Sequence, residues 1–343
     1  MRVVVVGSTG NVGIALVDAL VAGGAEVLGL ARRRPTAHGV AGFRQADITT
    51  DDLVGHFRGA DVVVHLAWIF QPTHRPSVTW RVNVEGTERV LRAAAEAGVG
   101  ALVCASSVGA YSPGPGHVVD ESWPTHGYPE AAYGREKAYV ERLLDIFAAE
   151  RPNVRVVRLR PGFIFQPAAG PQQVRLFAGP LAPTSLLRPG RLPVVPWPAG
   201  LRIQALHAAD AAEAYRLAIE SDASGAFNIA ADPVVDEAAA QEVFGARVVT
   251  IPPELAKGAL RVGWLAHLVP AEPALLDLAR SLPVMSTERA RRVLGWSPRS
   301  SSVEALRAGL AGMAEGAGGP TPPLQPASLG SSLRGLARRA GKA

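Results

Sequence analysis

Short apolar runs alternate with longer amphipathic stretches through the first 160 residues of the chain. The runs are almost continuous in Val, Leu, Ile and Ala, which is typical of strands in a parallel sheet that helices cover on both faces. The strands predicted by this pattern are residues 2–6, 26–30, 42–46, 61–67, 101–105 and 154–159. The helices predicted between them are residues 12–21, 78–97 and 130–150. Strands and helices that alternate in this way indicate an α/β fold with a doubly wound parallel sheet.

The pattern changes after Pro161. Residues 166–200 are rich in Pro and Gly, a composition typical of loops and short strands. Beyond this segment the pattern predicts a strand at residues 226–229 and helices at residues 209–220, 253–266, 272–282, 287–294 and 303–313. From residue 316 to residue 330, eight of fifteen residues are Gly or Pro. This composition predicts a flexible tail.

A glycine-rich turn follows the first strand. It has the sequence Gly7-Ser8-Thr9-Gly10-Asn11-Val12-Gly13 and opens the first predicted helix. Glycines at these positions permit a tight turn, close approach of the backbone to a pyrophosphate and close packing of helix on strand. The helix N-terminus offers free N–H groups to the phosphates. The spacing is G-x-x-G-x-x-G rather than G-x-G-x-x-G, but its place at the end of the first strand predicts a dinucleotide site.

The end of the second strand indicates which dinucleotide binds. An acidic residue there would bind the ribose hydroxyls of NAD, whereas arginine accommodates the 2′-phosphate of NADP. Arg32, Arg33 and Arg34 follow this strand and no carboxylate does. We therefore predict NADP as the cofactor, with Arg32 and Arg33 on its phosphate, and NAD as the alternative. Asp47 and Ile48 after the third strand are predicted to meet the adenine, unless Asp47 only caps the next helix.

These signals divide the chain into three parts. Residues 1–165 are predicted to form a dinucleotide-binding Rossmann domain, to which residues 201–230 return. Residues 166–200 and 231–314 are predicted to form a smaller C-terminal substrate lobe. A flexible basic tail, rich in Gly and Pro, is predicted beyond them at residues 315–343.

Composition narrows the class of protein. The chain has 343 residues, of which 48% are hydrophobic and 19% charged, as expected of a globular protein with a large core. Cys104 is the only cysteine, so no internal disulfide forms and the reducing cytoplasm is the expected location. The histidines lack metal-ligand spacing, so no metal site is predicted. The net charge is +5, and basic residues do not interleave with aromatic ones, so no nucleic-acid partner is predicted.

No stable membrane insertion is predicted either. The most apolar late stretch, residues 262–270, is well short of the roughly 20 residues that a membrane span needs. In the tail, Leu329, Leu333 and Leu336 share one helical face among basic residues. Weak docking of this face on an anionic membrane or a partner is the alternative to a disordered, solubilising tail.

Candidate catalytic groups lie on one predicted helix. Tyr133 and Lys137 are four residues apart, so their side chains share a helix face and can enter one cleft. A free tyrosine has a pKa of about 10, and a neighbouring ammonium favours the phenolate and brings the group towards acid–base work. Ser106 and Ser107 follow the fifth strand at the edge where open α/β sheets bind ligands. A hydroxyl there can hold a substrate oxygen, unless both serines only satisfy loop backbone.

Nine motifs occur in the order found in a known family, and they cover roughly residues 1–312. In order, they are Gly7-x-x-Gly10-x-x-Gly13, Asp47-Ile48, His65-Leu66-Ala67, Asn83-Val84-Glu85-Gly86-Thr87, Ser106-Ser107-Val108-Gly109-Ala110-Tyr111, Tyr133/Lys137, Arg160-Pro161-Gly162, Leu206-His207-Ala208-Ala209-Asp210 and Leu294-Gly295-Trp296-Ser297-Pro298. With these motifs the chain resembles the extended short-chain dehydrogenase/reductase family, also called the NAD-dependent epimerase/dehydratase family.

The resemblance implies a role for each matching residue. Tyr133 would be the general acid/base, Lys137 would bind the nicotinamide ribose and tune the phenol, and Ser107 would orient the substrate. Asn83 would hold the active-site helix and its water chain. The residues that would line the cofactor are Leu66, Ala67, Ala105, Pro161, Phe163 and Ile164.

Two departures from the family pattern narrow the reaction. Dehydratases of the family carry Asp-Glu directly after the catalytic hydroxyl, whereas Val108 and Gly109 follow Ser107 here, so dehydration is disfavoured. Nucleotide-sugar enzymes often carry an asparagine after the sixth strand, where this chain has Gly162. Aromatic and aliphatic residues beside the cleft edge suggest an apolar pocket, although they equally suit an ordinary core; they are Trp68, Ile69, Phe70 and Trp80.

These observations predict an NAD(P)-dependent reductase or dehydrogenase that transfers hydride between nicotinamide and a small carbonyl or alcohol substrate. The first alternative is a nucleotide-sugar epimerase that uses bound NAD(P). The second is a non-catalytic dinucleotide sensor, which would have no need of Ser107, Tyr133 and Lys137 together. A homodimer is a further expectation, because the predicted helices 78–97 and 130–150 could pair across a two-fold axis, as they do in the family.

Overall fold

The computed structural model describes residues 1–35, 42–71, 73–179 and 182–326. The strands within these residues are β1 (Arg2–Val6), β2 (Glu26–Ala31), β3 (Gly42–Gln45), β4 (Val62–His65), β5 (Ala101–Ala105), β6 (Val118–Val119), β7 (Arg155–Pro161), β8 (Phe163–Phe165), β9 (Val194–Pro198), β10 (Ala205–His207), β11 (Gly225–Ile229), β12 (Arg247–Ile251) and β13 (Val284–Met285). The predicted strands agree with the structure to within two residues at each end.

Seven of these strands form one parallel sheet in the order β3-β2-β1-β4-β5-β7-β11. The chain runs outward from β1 to one edge, returns, and then runs to the other edge. A doubly wound sheet has this order, and its switch point lies between β1 and β4, where ligands of such folds bind. The predicted α/β Rossmann fold is therefore confirmed.

Helices flank the sheet and build the rest of the chain. They are α1 (Asn11–Ala22), α2 (Val54–Phe57), α3 (Pro76–Trp80), α4 (Gly86–Glu96), α5 (Ala132–Glu150), α6 (Gly170–Gln173), α7 (Ala208–Glu220), α8 (Glu237–Phe244), α9 (Pro253–Leu265), α10 (Ala274–Ser281), α11 (Glu288–Leu294) and α12 (Ser302–Glu315). A π-helical turn, Arg81–Glu85, joins α3 to α4, where the sequence predicted one uninterrupted helix.

The core has two layers, one on each face of the sheet. Val3 and Val5 of β1 belong to a cluster with α1 and α7, whereas Val4 and Val6 belong to a cluster with α4 and α5. All four side chains are at most 2% exposed. Because alternate residues of a strand point to opposite faces, a strand buried on both faces must be apolar throughout. The continuous apolar runs of the sequence have this origin.

The C-terminal half adds small two-stranded sheets beside the main sheet. Parallel pairing of β9 with β12 joins the two segments that the sequence assigned to a substrate lobe. The division of the chain into domains nevertheless stays a prediction. None of the helices in the described ranges is long and apolar enough to cross a membrane.

The beginning of the predicted tail differs from the expectation. Residues 316–326, here called the C-terminal strap, pack on the main body, and Thr321 and Leu324 in it are completely buried. The Thr321 hydroxyl donates a hydrogen bond of 2.8 Å to the carbonyl oxygen of Thr9 in the glycine turn. This Gly- and Pro-rich segment therefore forms a compact turn on the main body rather than a flexible tail. The apolar face predicted at residues 329–336 lies outside the described residues.

Candidate active site

A cleft of about 900 Å³ lies along the carboxyl ends of the central strands. All but two of the predicted site residues line this cleft. Those that do are Gly7, Thr9, Gly10, Asn11, Val12, Gly13, Arg32, Arg33, Ile48, Leu66, Ala67, Ala105, Ser107, Tyr133, Lys137, Pro161, Phe163 and Ile164. Asp47 and Asn83 do not. The topology thus brings together residues that are up to 157 positions apart in sequence, from Gly7 to Ile164.

The glycine turn has the geometry of a phosphate cradle. Gly7 has a φ of +92°, and a Cβ there would lie 2.7 Å from the backbone nitrogen of Ala67. A Cβ on Gly13 would lie 2.3 Å from the carbonyl oxygen of Gly7. Helix α1 begins at Asn11 without a side-chain cap and without an acidic residue in its first turn. Its first N–H groups and positive dipole end are therefore available to an anion, so these residues fit a dinucleotide pyrophosphate.

Arg32 and Arg33 line the cleft and follow directly after β2. Neither guanidinium has a carboxylate within 4 Å among the described residues. Partial desolvation, and then the neighbouring charge of Arg32, lower the pKa of Arg33. Two cations that repel each other in this way are stabilised by a bound anion.

Asp47 is not among the residues that line the cleft, so its contact with the adenine stays a prediction, and helix α2 begins without the side-chain cap considered as the alternative role of Asp47. Its carboxylate accepts hydrogen bonds of 2.9 Å from the backbone N–H and 2.7 Å from the hydroxyl of Thr49. Short polar side chains commonly satisfy the backbone two residues ahead in this manner. Ile48, the next residue, does line the cleft and packs in the core beneath it.

Tyr133 stands in the first turn of α5, between two aromatic rings. Its ring stacks on Phe70 at 4.8 Å between centroids and meets Trp68 edge-on at 5.8 Å. Desolvation by these neighbours raises the pKa of Tyr133 to about 12, and a hydrogen bond with Ser107 offsets this only in part. The phenol of the free protein is therefore protonated at neutral pH, which suits a group that donates a proton to substrate.

Lys137 lies one turn further along α5 and is only 3% exposed. Its Nζ donates a hydrogen bond of 2.8 Å to the carbonyl oxygen of Ala105 and lies 3.5 Å from the centre of the Trp68 ring. Burial lowers the pKa of Lys137 to about 7, and the Glu141 carboxylate opposes this only in part. An amine with so low a pKa at the wall of a cleft is typical of a functional site, whereas an exposed lysine keeps its ordinary pKa.

The two adjacent serines have different surroundings. Ser106 also lines the cleft, but its hydroxyl donates a hydrogen bond of 2.5 Å to the buried carboxylate of Glu141. Ser107 lines the cleft, and its Oγ accepts a hydrogen bond of 3.0 Å from the N–H of Gly109. That bond occupies a lone pair of the hydroxyl, so its proton can be donated either to Tyr133, as in the free protein, or to a ligand. This geometry favours Ser107 over Ser106 as the substrate-orienting hydroxyl.

Two glycines give the departures from the family pattern a steric cause. A Cβ on Gly109 would lie 2.7 Å from Cε1 of Tyr133, so a glutamate there would displace the phenol ring. A Cβ on Gly162 would lie 2.4 Å from the carbonyl oxygen of Gln204. An asparagine at position 162 therefore requires a shift of the backbone. At both positions, residues that are remote in sequence leave no room for a side chain.

Asn83 lies behind the cleft and is completely buried in the π-helical turn. Its side chain exchanges two hydrogen bonds of 2.8 Å with the backbone of Ile69 and donates one of 2.7 Å to Glu136 of α5. Thr79 donates a further hydrogen bond to Glu136. Asn83 thus ties the loop after β4 to the helix that carries Tyr133. The geometry makes it a positioning residue rather than a catalytic one.

A buried network of charged side chains, which was not predicted from the sequence, supports the helix and the loop that carry the site. Glu141 of α5 is fully buried and accepts hydrogen bonds from Ser106, Arg158 and Arg160. Arg160 also donates one to the hydroxyl of Tyr111. The guanidinium groups hold the pKa of Glu141 well below its usual range, although burial alone would raise it. Arginines inside an otherwise apolar strand, and a glutamate four residues after Lys137, were the signals that could have revealed this network.

The part of the cleft beyond Tyr133 is mostly apolar. Phe70 meets Phe177 edge-on at 5.5 Å between ring centroids. Further apolar lining comes from α10 and the residues around it, namely Ala271, Leu275, Leu276, Leu278, Ala279 and Leu282. Glu272 is the acidic residue of this lining, and its carboxylate accepts a hydrogen bond of 2.9 Å from the N–H of Ala132 at the start of α5. The charged lining near the phenol thus consists of Lys137 and a carboxylate, which does not favour an anionic substrate.

The sequence of this chain is similar to those of known reductases. Two reductases are each 30% identical to the chain. The 4-hydroxy-2-methyl-3-oxo-4-farnesyl-3,4-dihydroquinoline-1-oxide ketoreductase of Stigmatella aurantiaca matches over 91% of this chain and 98% of its own length. The 3-diazoavenalumate denitrifying reductase of a Streptomyces species matches over 88% and 97%. In uncharacterised mycobacterial relatives, the match is 39% identical over 109 residues but spans only 12% of their length.

Solved structures show the same fold. The UDP-glucose 4-epimerase of Thermus thermophilus, in complex with NAD, superposes with a TM-score of 0.69 at 24% identity. The superposition covers 92% of this chain and all of that one. A profile of the NAD dependent epimerase/dehydratase family matches residues 3–230, which is more than half of the chain. The chain belongs to the NAD dependent epimerase/dehydratase family.

Proposed function

We propose that this protein is an NADP(H)-dependent reductase of an apolar carbonyl compound. The observation that carries this proposal is the convergence of Ser107, Tyr133 and Lys137 on one cleft whose outer part is lined by Phe70, Phe177 and the leucines around α10. A polar reaction centre at the inner end of an apolar pocket suits a substrate with one reactive oxygen on a largely apolar body.

The residues of the site have distinct tasks in this reaction. When bound along the glycine turn, the nicotinamide cofactor supplies the hydride for the carbonyl carbon. Ser107 donates a hydrogen bond to the carbonyl oxygen, and Tyr133 donates its proton to the same oxygen, which becomes the hydroxyl of the product. The Lys137 ammonium offers further donors for the ribose and stabilises the phenolate that remains on Tyr133. Asn83 holds α5 and the loop after β4 in a fixed position relative to each other.

NADP(H) rather than NAD(H) is the cofactor that Arg32 and Arg33 support. We expect wild-type protein to bind NADPH at least tenfold more tightly than NADH, since a charge-assisted hydrogen bond contributes about 1.5–3 kcal/mol. Replacing Arg33 by Ala should remove most of this difference without weakening NADH. Titration by calorimetry measures both affinities. Arg34→Ala is the matched control, because Arg34 follows in sequence but does not line the cleft. Equal wild-type affinity for the two nucleotides would contradict the assignment.

Epimerisation of a nucleotide sugar is the reaction that must be distinguished from carbonyl reduction, because solved structures with the same fold are epimerases of this kind. Against it stand the glycine at position 162, the apolar lining and the carboxylate of Glu272 near the phenol. The two similar reductases named above act, by their names, on a farnesyl-bearing dihydroquinoline oxide and on 3-diazoavenalumate, neither of which is a nucleotide sugar. A dinucleotide sensor would leave the Ser107, Tyr133 and Lys137 arrangement without a purpose.

The direct test offers wild-type protein NADPH with apolar aromatic and alicyclic ketones, and in a separate reaction NAD⁺ or NADP⁺ with UDP-glucose. We expect NADPH to be consumed in proportion to alcohol formed from a ketone, and UDP-glucose to remain unchanged. Conversion of UDP-glucose to its epimer without net loss of the nucleotide would refute the reductase proposal. A homodimer formed through α4 and α5 stays a prediction; Tyr139 and Ile146 of α5, which are 46% and 55% exposed, are consistent with it.

A further inference from the structure

The C-terminal strap forms part of the cleft wall next to the glycine turn. Its Pro322 and Pro323 line the cleft beside the glycine turn, and Thr321 anchors it to the carbonyl oxygen of Thr9. Leu324 of the strap is completely buried. The strap is therefore built into the wall of the nucleotide site, although it lies more than 300 positions from the turn in sequence.

Arg175 connects this strap to the nucleotide site. It lies in a second π-helical turn, Val174–Ala178, and its side chain lines the cleft. Its guanidinium donates a hydrogen bond of 2.7 Å to the carbonyl oxygen of Gln325 and another to that of Pro323. A guanidinium has five N–H donors in a planar fork, so two carbonyl contacts leave donors for a ligand.

The charge of Arg175 is uncompensated in the described part of the protein. No carboxylate lies within 4 Å of it there, and its hydrogen-bond partners in the strap are neutral carbonyl groups. Partial burial, and then the positive charge of Arg33, lower the pKa of Arg175. Arg33 and Arg175 both line the cleft, and their positive charges repel each other. Half-buried cations without a counter-ion mark a place where an anion is stabilising.

We propose that Arg175 is a further residue of the 2′-phosphate site, which binds the phosphate of NADP(H) together with Arg33 while the C-terminal strap holds its side chain in place. This proposal rests on the NADP(H) preference proposed above. It assigns cofactor selection jointly to the end of β2 and to a residue of the C-terminal half. Because the strap holds Arg175, the choice between NADP(H) and NAD(H) also depends on residues 321–325. Binding of the pyrophosphate by the glycine turn does not need these residues.

The experiment measures binding of adenosine 2′,5′-bisphosphate and of adenosine 5′-monophosphate by calorimetry, so it does not depend on turnover. We expect Arg175→Ala to weaken the bisphosphate about tenfold or more and the monophosphate less than twofold. Arg175→Lys keeps the charge and should retain the bisphosphate preference within about threefold. Arg92→Ala is the control, because that arginine is exposed on α4 and pairs with Glu88.

The outcomes separate this proposal from the cofactor assignment. Wild-type protein that binds both nucleotides equally overturns the NADP(H) preference and the role of Arg175 together. A wild-type preference that survives Arg175→Ala overturns the role of Arg175 alone. An equal loss of affinity for both nucleotides in the Ala and Lys variants assigns Arg175 to holding the strap only, and this result also overturns the proposal.

Discussion

Replacing Tyr133 by Phe lowers the turnover number for carbonyl reduction by about 10²- to 10⁴-fold, the usual contribution of a general acid. The substitution removes the hydroxyl that donates the proton but keeps the ring that stacks on Phe70 and meets Trp68. The aromatic walls of the cleft should therefore remain in place, and the affinity for NADPH should change less than twofold. Steady-state kinetics with a ketone substrate, together with a nucleotide titration, measure both quantities.

Tyr139 on the same helix provides the control for Tyr133. It is 46% exposed and packs against Trp80, away from the cleft lining. Tyr139→Phe removes a hydroxyl of the same kind from α5 and should leave the turnover number within twofold of wild type. A Tyr133→Phe variant with wild-type turnover would contradict the assignment of the proton donor. Equal losses in both variants would indicate damage to α5 instead.

Replacing Glu141 by Ala lowers the free energy of unfolding by about 3–5 kcal/mol, the cost of breaking a buried ion pair from one side. Arg158 and Arg160 each donate to this carboxylate at 2.9 Å, and they are only 8% and 4% exposed. Without Glu141, Arg160 keeps neutral partners such as Tyr111, and its charge stays in a poorly solvated environment. Chemical denaturation of wild type and variant, followed by circular dichroism, measures the difference.

Glu88 supplies the matched control for Glu141. It pairs with Arg92 at 2.8 Å on the exposed face of α4, where salt bridges contribute at most about 1 kcal/mol. Glu88→Ala should therefore change the free energy of unfolding by less than about 1 kcal/mol. Similar effects of the Glu141 and Glu88 substitutions would show that the buried network does not support the structure as described. Loss of the Ser106 contact to Glu141 should also loosen the loop that carries Ser107.

Much of the fold was predictable because its signals are local. Strands buried on both faces must be apolar throughout, so β1 and β5 could be placed residue by residue in the sequence. The glycine turn was recognisable because Gly7 and Gly13 make close backbone contacts that other residues cannot make. The single helix predicted at residues 78–97 was wrong in detail, since no local signal reveals the π-helical turn that presents Asn83.

The site was less predictable where its contacts are remote in sequence. The family resemblance implied that Asn83 holds the active-site helix, but its partners Ile69 and Glu136 are known only from the fold. Asp47 was predicted to meet the adenine, and this stays a prediction; in the structure one oxygen of its carboxylate accepts two hydrogen bonds from Thr49. Arg175 lies in a Pro- and Gly-rich segment without periodicity, so nothing in the sequence linked it to Arg33. Such contacts depend on how distant segments pack, which a periodic pattern does not encode.

The most direct test follows hydride and proton together. Wild-type protein receives NADPH that carries deuterium at the transferable position of nicotinamide C4, together with an apolar ketone. We predict one deuterium on the carbinol carbon for each NADP⁺ formed, at a rate that Tyr133→Phe lowers by about 10²- to 10⁴-fold. Product without deuterium, or deuterium transfer at an undiminished rate in the Tyr133→Phe variant, would contradict hydride transfer with Tyr133 as the proton donor.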